Sequence, residues 1–263
     1  MIARAVRTEI RHRLEMIEAP GDVRILCAVE SGSRAWGFPS RDSDYDVRFI
    51  YIRAPHWYLS IDLETRRDVI EQPIVDEIDL SGWDVRKALR LFAKSNPPLL
   101  EWLSSPIFYA IDVEFVTALR SLVRDYYSPV ASMHHYLHMA RSNQREYLRG
   151  DTVWVKKYFY VLRPLLAIRW LEQDRGPVPM LFSDLLATID DESVVVAIES
   201  LRQRKSNGDE LDRGAAIPEI SAFVEAELRR LGELLIPKQP PTVSLDALDA
   251  LFRTTLDRVW KAS

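Results

Sequence analysis

The sequence predicts an α+β protein: a small strand-containing head followed by an all-helical C-terminal domain. Three observations predict it. The short β-rich segments bounded by turn residues all lie before Trp83. From Trp83 onward, apolar residues recur at helical spacing. Hydrophobic residues make up 47% of the chain and charged residues 28%, which is ample for a buried core. Strands early and helices late is the segregated arrangement, not the alternating one. The expected division is residues 1–125 for the head and 126–263 for the helical domain, with the boundary between residues 108 and 128.

Ile2, Ala5, Val6, Ile10, Leu14 and Ile17 give an amphipathic first helix, which Pro20-Gly21 ends. Val23 to Val29 reads as a buried strand. A loop of small and polar residues, Ser31 to Ser43, leads to a second strand, Tyr45 to Arg53. A third is expected at Val69-Ile70 and a fourth from Ile74 to Leu80. Helices follow over Trp83–Lys94, Pro98–Leu103, Val113–Tyr126, Val130–Leu148, Val153–Glu172, Ser193–Lys205, Ile217–Leu235 and Leu245–Trp260. Asn96 is a good cap for the second of these, with prolines tolerated in its first turn. Ser206-Asn-Gly-Asp is a loop signal and Pro237–Pro241 a stiff connector.

The net charge of −4 argues against wholesale charge-driven coating of nucleic acid, while leaving room for a local basic groove. Cys27, the single cysteine, excludes an intrachain disulfide and reads as a small core residue. The N-terminal segment lacks the uninterrupted apolar core of a signal peptide. No run approaches the roughly 18 apolar residues of a membrane span. The cytoplasm is the expected address.

The informative segment runs from Gly32-Ser33-Arg34 to Ser43-Asp44-Tyr45-Asp46-Val47-Arg48, linked through Asp42. Residues two apart on a strand share a face, so Asp44 and Asp46 project together. Two like charges side by side are unfavourable unless a cation sits between them. A hard divalent ion such as Mg²⁺ or Mn²⁺ is the natural neutraliser. Upstream, Gly32 lets the backbone approach a ligand, Ser33 offers a hydroxyl, and a tight turn presents N–H groups to a phosphate. A helix beginning after Ser33 would add its N-terminal field. The plainer readings are a solvated turn capped by Asp44 and Asp46, and an ordinary β-turn at Gly32-Ser33. Neither explains why the two pieces occur in this order behind a strand. Arg34 is equally a phosphate contact or a surface charge.

Strand, Gly-Ser, short loop, Ser-Asp-x-Asp, strand resembles the nucleotidyltransferase fold of the DNA polymerase beta superfamily. The stretches GSRAWGFPSRDSDYDVRFIY, DLSGWDVRKALRLFAKSNPPLLEWLSSPIFY and KKYFYVLRPLLA are similar to the RNA-repair-associated (RlaP-type) nucleotidyltransferases; they cover residues 32–51, 79–109 and 156–167. The resemblance implies a mixed-sheet head, Gly32 and Ser33 at the phosphates of a nucleoside triphosphate, and Asp44 and Asp46 as metal ligands. It also implies a third carboxylate on a neighbouring strand. Asp76, Glu77 and Asp79 compete for that place; Asp79 heads the DLSGWD segment and is preferred, with Glu77 second and Asp84 behind. The bland alternative is acids that keep an edge strand from aggregating. Glu30 has no assigned role.

In the helical half, Lys156 or Lys157 is expected to reach the triphosphate and Tyr158 to stack on a base, against the plainer reading of a solvated helix face. Trp83, Trp102, Trp154 and Trp170 read as core. His134, His135 and His138 invite a metal reading, but HHYLH has no acid between its histidines. The expected activity is NMP transfer from an NTP to an acceptor hydroxyl. The acceptor is an RNA end first, with a protein side chain or small molecule as alternatives. Two other readings stand: a catalytically silent nucleotide-binding regulator, and a partner-binding protein of a toxin–antitoxin or defence pair.

Overall fold

The structure, a computed structural model, describes residues 2–40, 43–208, 212–234, 236 and 244–261. Asp42, Asp209, Leu235 and the connector 237–241 lie outside the described residues. In chain order come α1 (Arg4–Glu18), β1 (Val23–Glu30), the single turn α2 (Gly32–Ala35), β2 (Tyr45–Arg53), α3 (Pro55–Tyr58), β3 (Val69–Glu71) and β4 (Ile78–Asp84). Next are α4 (Val85–Phe92), α5 (Pro97–Ser104), β5 (Phe108–Ile111), α6 (Val113–Ser121), α7 (Val123–Tyr126) and α8 (Pro129–Tyr147). The remainder are β6 (Thr152–Trp154), α9 (Tyr158–Glu172), α10 (Phe182–Leu186), α11 (Glu192–Asn207), β7 (Arg213–Ala215), α12 (Pro218–Glu233) and α13 (Asp246–Lys261).

These elements form two compact units, each discontinuous in sequence: residues 1–32, 44–127 and 242–263 in the first, and 33–43 and 128–241 in the second. This differs from a single cut near residue 125 in two places. The loop after Gly32 joins the helical unit, because Phe38 is buried there with its ring 4.6 Å from Phe159 and 5.2 Å from Phe182. Helix α13 joins the head, because Leu248, Leu251 and Phe252 pack into its core.

The first unit is built on a mixed five-stranded sheet of order β3-β4-β2-β1-β5, in which β2 and β4 run parallel and the other neighbours antiparallel. Alternation along β2 sends Val47, Phe49 and Tyr51 to one face, with Ile10 and Leu14 of α1. Ile50 and Ile52 take the other, with α4, α5 and α6. At Gly82, directly across from Phe49, a Cβ would lie 2.1 Å from the Phe49 ring, so no larger residue fits that strand position.

In this unit two boundaries and one strand differ from expectation. Strand β4 begins at Ile78, not Ile74, because Asp76 (φ 53°) and Glu77 (φ 62°) are left-handed and break the pleat. It then runs through Trp83 to Asp84, whose side chain accepts the Arg86 N–H at 2.8 Å and so starts α4 at Val85. Strand β5, four residues on the outer edge of β1, was not anticipated.

In the second unit α9 is the central helix, buried along most of its length. It begins at Tyr158, not Val153: residues Thr152–Trp154 pair with Arg213–Ala215, and Val155–Lys157 form one 3₁₀ turn. Neither that two-stranded ladder nor α10 was expected. Helix α11 continues through Ser206 and Asn207, and Gly208 ends it with φ 83°. The buried Glu227 is held by Arg169 at 2.9 Å and by Arg230 at 2.9 Å, and Arg230 also meets Glu172 at 2.7 Å. Among the described residues no helix is long and apolar enough to cross a membrane.

Cys27 sits in the core of the first unit. Burial pushes its thiol from an ordinary value near 9 up to about 12, partly offset by Arg120. At pH 8 the native protein is therefore expected to react with a disulfide reagent at least roughly 100-fold more slowly than the guanidinium-unfolded chain, since the thiolate is the nucleophile. Equal rates would show that the thiol is accessible. The sign for stability follows: this contribution is intact below about 9 and is lost as pH rises toward about 12.

Candidate active site

The carboxylates lie at the N-terminal ends of two parallel neighbours. Asp46 of β2 stands directly across from Asp79 of β4, and paired residues of a parallel ladder face the same side. Arg48, two residues beyond Asp46, shares that side. Its Nη2 donates to Asp46 Oδ1 at 3.0 Å and to Asp79 Oδ2 at 2.7 Å, and its Nη1 donates to the carbonyls of Val47 and Asp79, each at 3.2 Å. All three side chains are about a quarter exposed.

Gly32 shapes the other side of Asp46. Its φ is +57°, and a Cβ there would lie 2.0 Å from Asp46 Oδ2. Ser31 N–H donates to the Asp46 carbonyl at 2.8 Å, which ties the Gly-Ser loop to the start of β2. Beneath the pair lies Glu30, fully buried at the end of β1. Its carboxyl group accepts the Asp46 N–H at 3.0 Å and the Tyr109 hydroxyl, while Ser105 Oγ donates to its carbonyl at 2.6 Å. Glu30 thus fixes the backbone from which Asp46 projects. The sequence hint was an acid at the end of an apolar strand; its partner Tyr109 lies 79 residues away.

Asp44 precedes the ladder, whose first pair is Tyr45 with Ile78. Asp76 is paired with Arg13 at 2.8 Å. Glu77 is exposed and gives its carbonyl to Tyr45 N–H at 2.7 Å. Asp84 is buried, caps α4 and accepts the Tyr58 hydroxyl at 2.8 Å; burial raises its pKa.

In the second unit, Ser33 Oγ donates to Ser43 Oγ at 3.2 Å and Arg34 Nη2 to the Ser43 carbonyl at 2.6 Å. Lys205 of α11 reaches Ser43 Oγ at 3.4 Å and the Phe38 carbonyl at 3.2 Å, placing an unanticipated cation beside Ser33. Lys156 pairs with Asp212 at 3.0 Å. Lys157 Nζ sits over the rings of Tyr147 and Tyr160, at 4.9 and 4.4 Å. The stacking expected of Tyr158 is corrected: the side chain is fully buried, hydrogen-bonded to Ser221 Oγ at 2.6 Å and accepting the Ile217 N–H at 3.1 Å. It is a core residue, because the helix starts at this position and turns the ring inward.

The Asp46–Asp79 pair suits a hard cation, since two carboxylate oxygens already converge on one positive group, and Gly32, having no Cβ, lets the Asp46 carboxylate lie against its backbone. Among the described residues, however, no group of three or more His, Cys, Asp or Glu side chains stands close enough to hold a metal ion. The cation between Asp46 and Asp79 is Arg48.

A family model described as "RlaP: RNA repair pathway DNA polymerase beta family" matches residues 6–254. YcgL of Bacillus subtilis (strain 168), described as an uncharacterized protein, is 48% identical over 261 residues, covering 97% of this chain and 98% of its own length. A nucleotidyltransferase-like protein from Exiguobacterium sibiricum 255-15, known from a crystal structure, aligns over 98% of this chain and 91% of its own at 14% identity and a TM-score of 0.32. With the family model spanning nearly the whole chain, this protein belongs to the RlaP nucleotidyltransferase family of the DNA polymerase beta superfamily.

Proposed function

We propose that the protein transfers a nucleoside monophosphate from a nucleoside triphosphate to an acceptor hydroxyl, releasing pyrophosphate, with Mg²⁺ or Mn²⁺ held by Asp46, Asp79 and Asp44. The observation that carries this is the in-register pair Asp46–Asp79 converging on one cation beside Gly32. A bound divalent ion would supply charge neutralisation at the phosphates and acidify the attacking hydroxyl. The chain's own residues do the rest. Glu30 holds the Asp46 backbone, Gly32 keeps the carboxylate's aim, and Ser33 with the loop amides offers donors to phosphate oxygens. Arg34 is the further phosphate contact in this reading. The family description favours an RNA end as acceptor.

Thermal melting with each of ATP, CTP, GTP and UTP, with and without Mg²⁺ or Mn²⁺, tests the reading. At a hundredfold excess over the dissociation constant, linkage predicts about 2.7 kcal/mol of added stability. The shift is expected for one nucleotide with metal and is lost in Asp46→Asn; labelled transfer to RNA should be lost in Asp44→Asn plus Asp46→Asn. Transfer that survives the double substitution rules the mechanism out. A second reading, a silent nucleotide-binding regulator, is favoured by one observation, the arginine between the two carboxylates; a metal-dependent shift without turnover on any acceptor would support it.

A further inference from the structure

We infer that Arg48 is a built-in counter-cation of the Asp46–Asp79 pair, which a divalent metal must displace, so that the site takes metal together with nucleotide and resists metal alone. The inference rests on the metal-dependent reading above.

Two carboxylates held opposite each other on adjacent strands repel unless a positive charge lies between them. Strand geometry supplies that charge from within the same motif, because residue 48 shares the face of residue 46. Its Nη2 bridges both acids at 3.0 and 2.7 Å, and its Nη1 is anchored on the Val47 and Asp79 carbonyls at 3.2 Å. Four contacts from one side chain make a fixed fork, the geometry for which arginine is suited and lysine is not. A divalent ion held by Asp46 and Asp79 would compete with this guanidinium for the same two carboxylates. Metal entry is then an exchange of one cation for another, and its apparent affinity is lowered by the stability of the arginine contacts. A triphosphate arriving with the ion adds oxygen ligands and tips the exchange.

Mn²⁺ binding to the full chain without nucleotide, followed by electron paramagnetic resonance, reads this directly. Arg48→Gln should bind Mn²⁺ at least tenfold more tightly than the unmodified protein, and should melt at lower temperature in metal-free buffer. Arg48→Gln combined with Asp79→Asn should lose that gain. If Arg48→Gln binds no more tightly while Asp46→Asn still abolishes nucleotide-dependent Mn²⁺ binding, the role of Arg48 is overturned and the metal reading survives. If no variant binds Mn²⁺ with or without any nucleotide, both fall together. Should Arg48→Gln not fold, arginine side-chain NMR of the unmodified protein decides: the Arg48 guanidinium signal shifts when Mg²⁺ and nucleotide are added together, and an unmoved signal overturns the inference.

Discussion

Replacing Gly32 by alanine is expected to leave the protein folded and to remove its metal-dependent nucleotide binding. The left-handed backbone at φ +57° costs an alanine about 1–2 kcal/mol, which a chain of this size tolerates. The added methyl would lie 2.0 Å from Asp46 Oδ2 and 2.8 Å from its Cγ, far inside contact distance. The carboxylate is the movable partner, so it swings away from Gly32 and loses its position opposite Asp79. A carboxylate that no longer converges with its neighbour is expected to weaken metal–nucleotide binding by roughly 100-fold, about 2.7 kcal/mol. Circular dichroism melting and the nucleotide-induced melting shift separate the two effects. An undiminished shift in Gly32→Ala would show that the aim of Asp46 toward Asp79 does not matter for binding.

The second large effect is on stability. Glu30→Ala removes a fully buried acceptor from the Asp46 N–H and the Tyr109 hydroxyl. Each buried donor deprived of a partner costs about 1–3 kcal/mol, and the cavity adds to it, giving a total of about 3–5 kcal/mol. For a domain of this size the midpoint should fall by roughly 10 °C. Glu30→Gln keeps one carbonyl oxygen as an acceptor and should lose much less. Equal melting of Glu30→Ala and the unmodified protein would mean that other groups or water already satisfy both donors. Because Asp46 projects from the backbone that Glu30 holds, the glutamine variant also tests whether nucleotide binding tracks this contact when the fold survives.

Much of this was legible in the chain. Strands β1 and β2 carry unbroken apolar runs, and the period-2 rule alone places residues 46 and 48 on one side. The same rule makes Arg48 the neighbour of the acids, so a positive charge between them comes from within the motif itself. Asp79, the acid preferred from the sequence, pairs in register with Asp46. What was illegible depended on long-range pairing. The turn at Asp76-Glu77 takes a left-handed backbone that neither residue type announces, so β4 starts at Ile78 and not at the expected Ile74. Strand β5 is too short to show a period and exists because β1 offers it an edge. Lys205 meets Ser43 across 162 positions of sequence, and the interior place of Tyr158 depends on Ser221, 63 positions on.

The discontinuous head also bears on how the protein is made. Its sheet and most of its covering helices are synthesised by Tyr127, yet Leu248, Leu251 and Phe252, which close one side of its core, are translated only after the whole of the helical unit. The unit that begins second is therefore ready to fold first. Until α13 emerges, the apolar surface around Leu89 and Phe92 lacks part of its cover, and the nascent chain carries that exposed patch through more than a hundred residues of elongation, from 128 to 241.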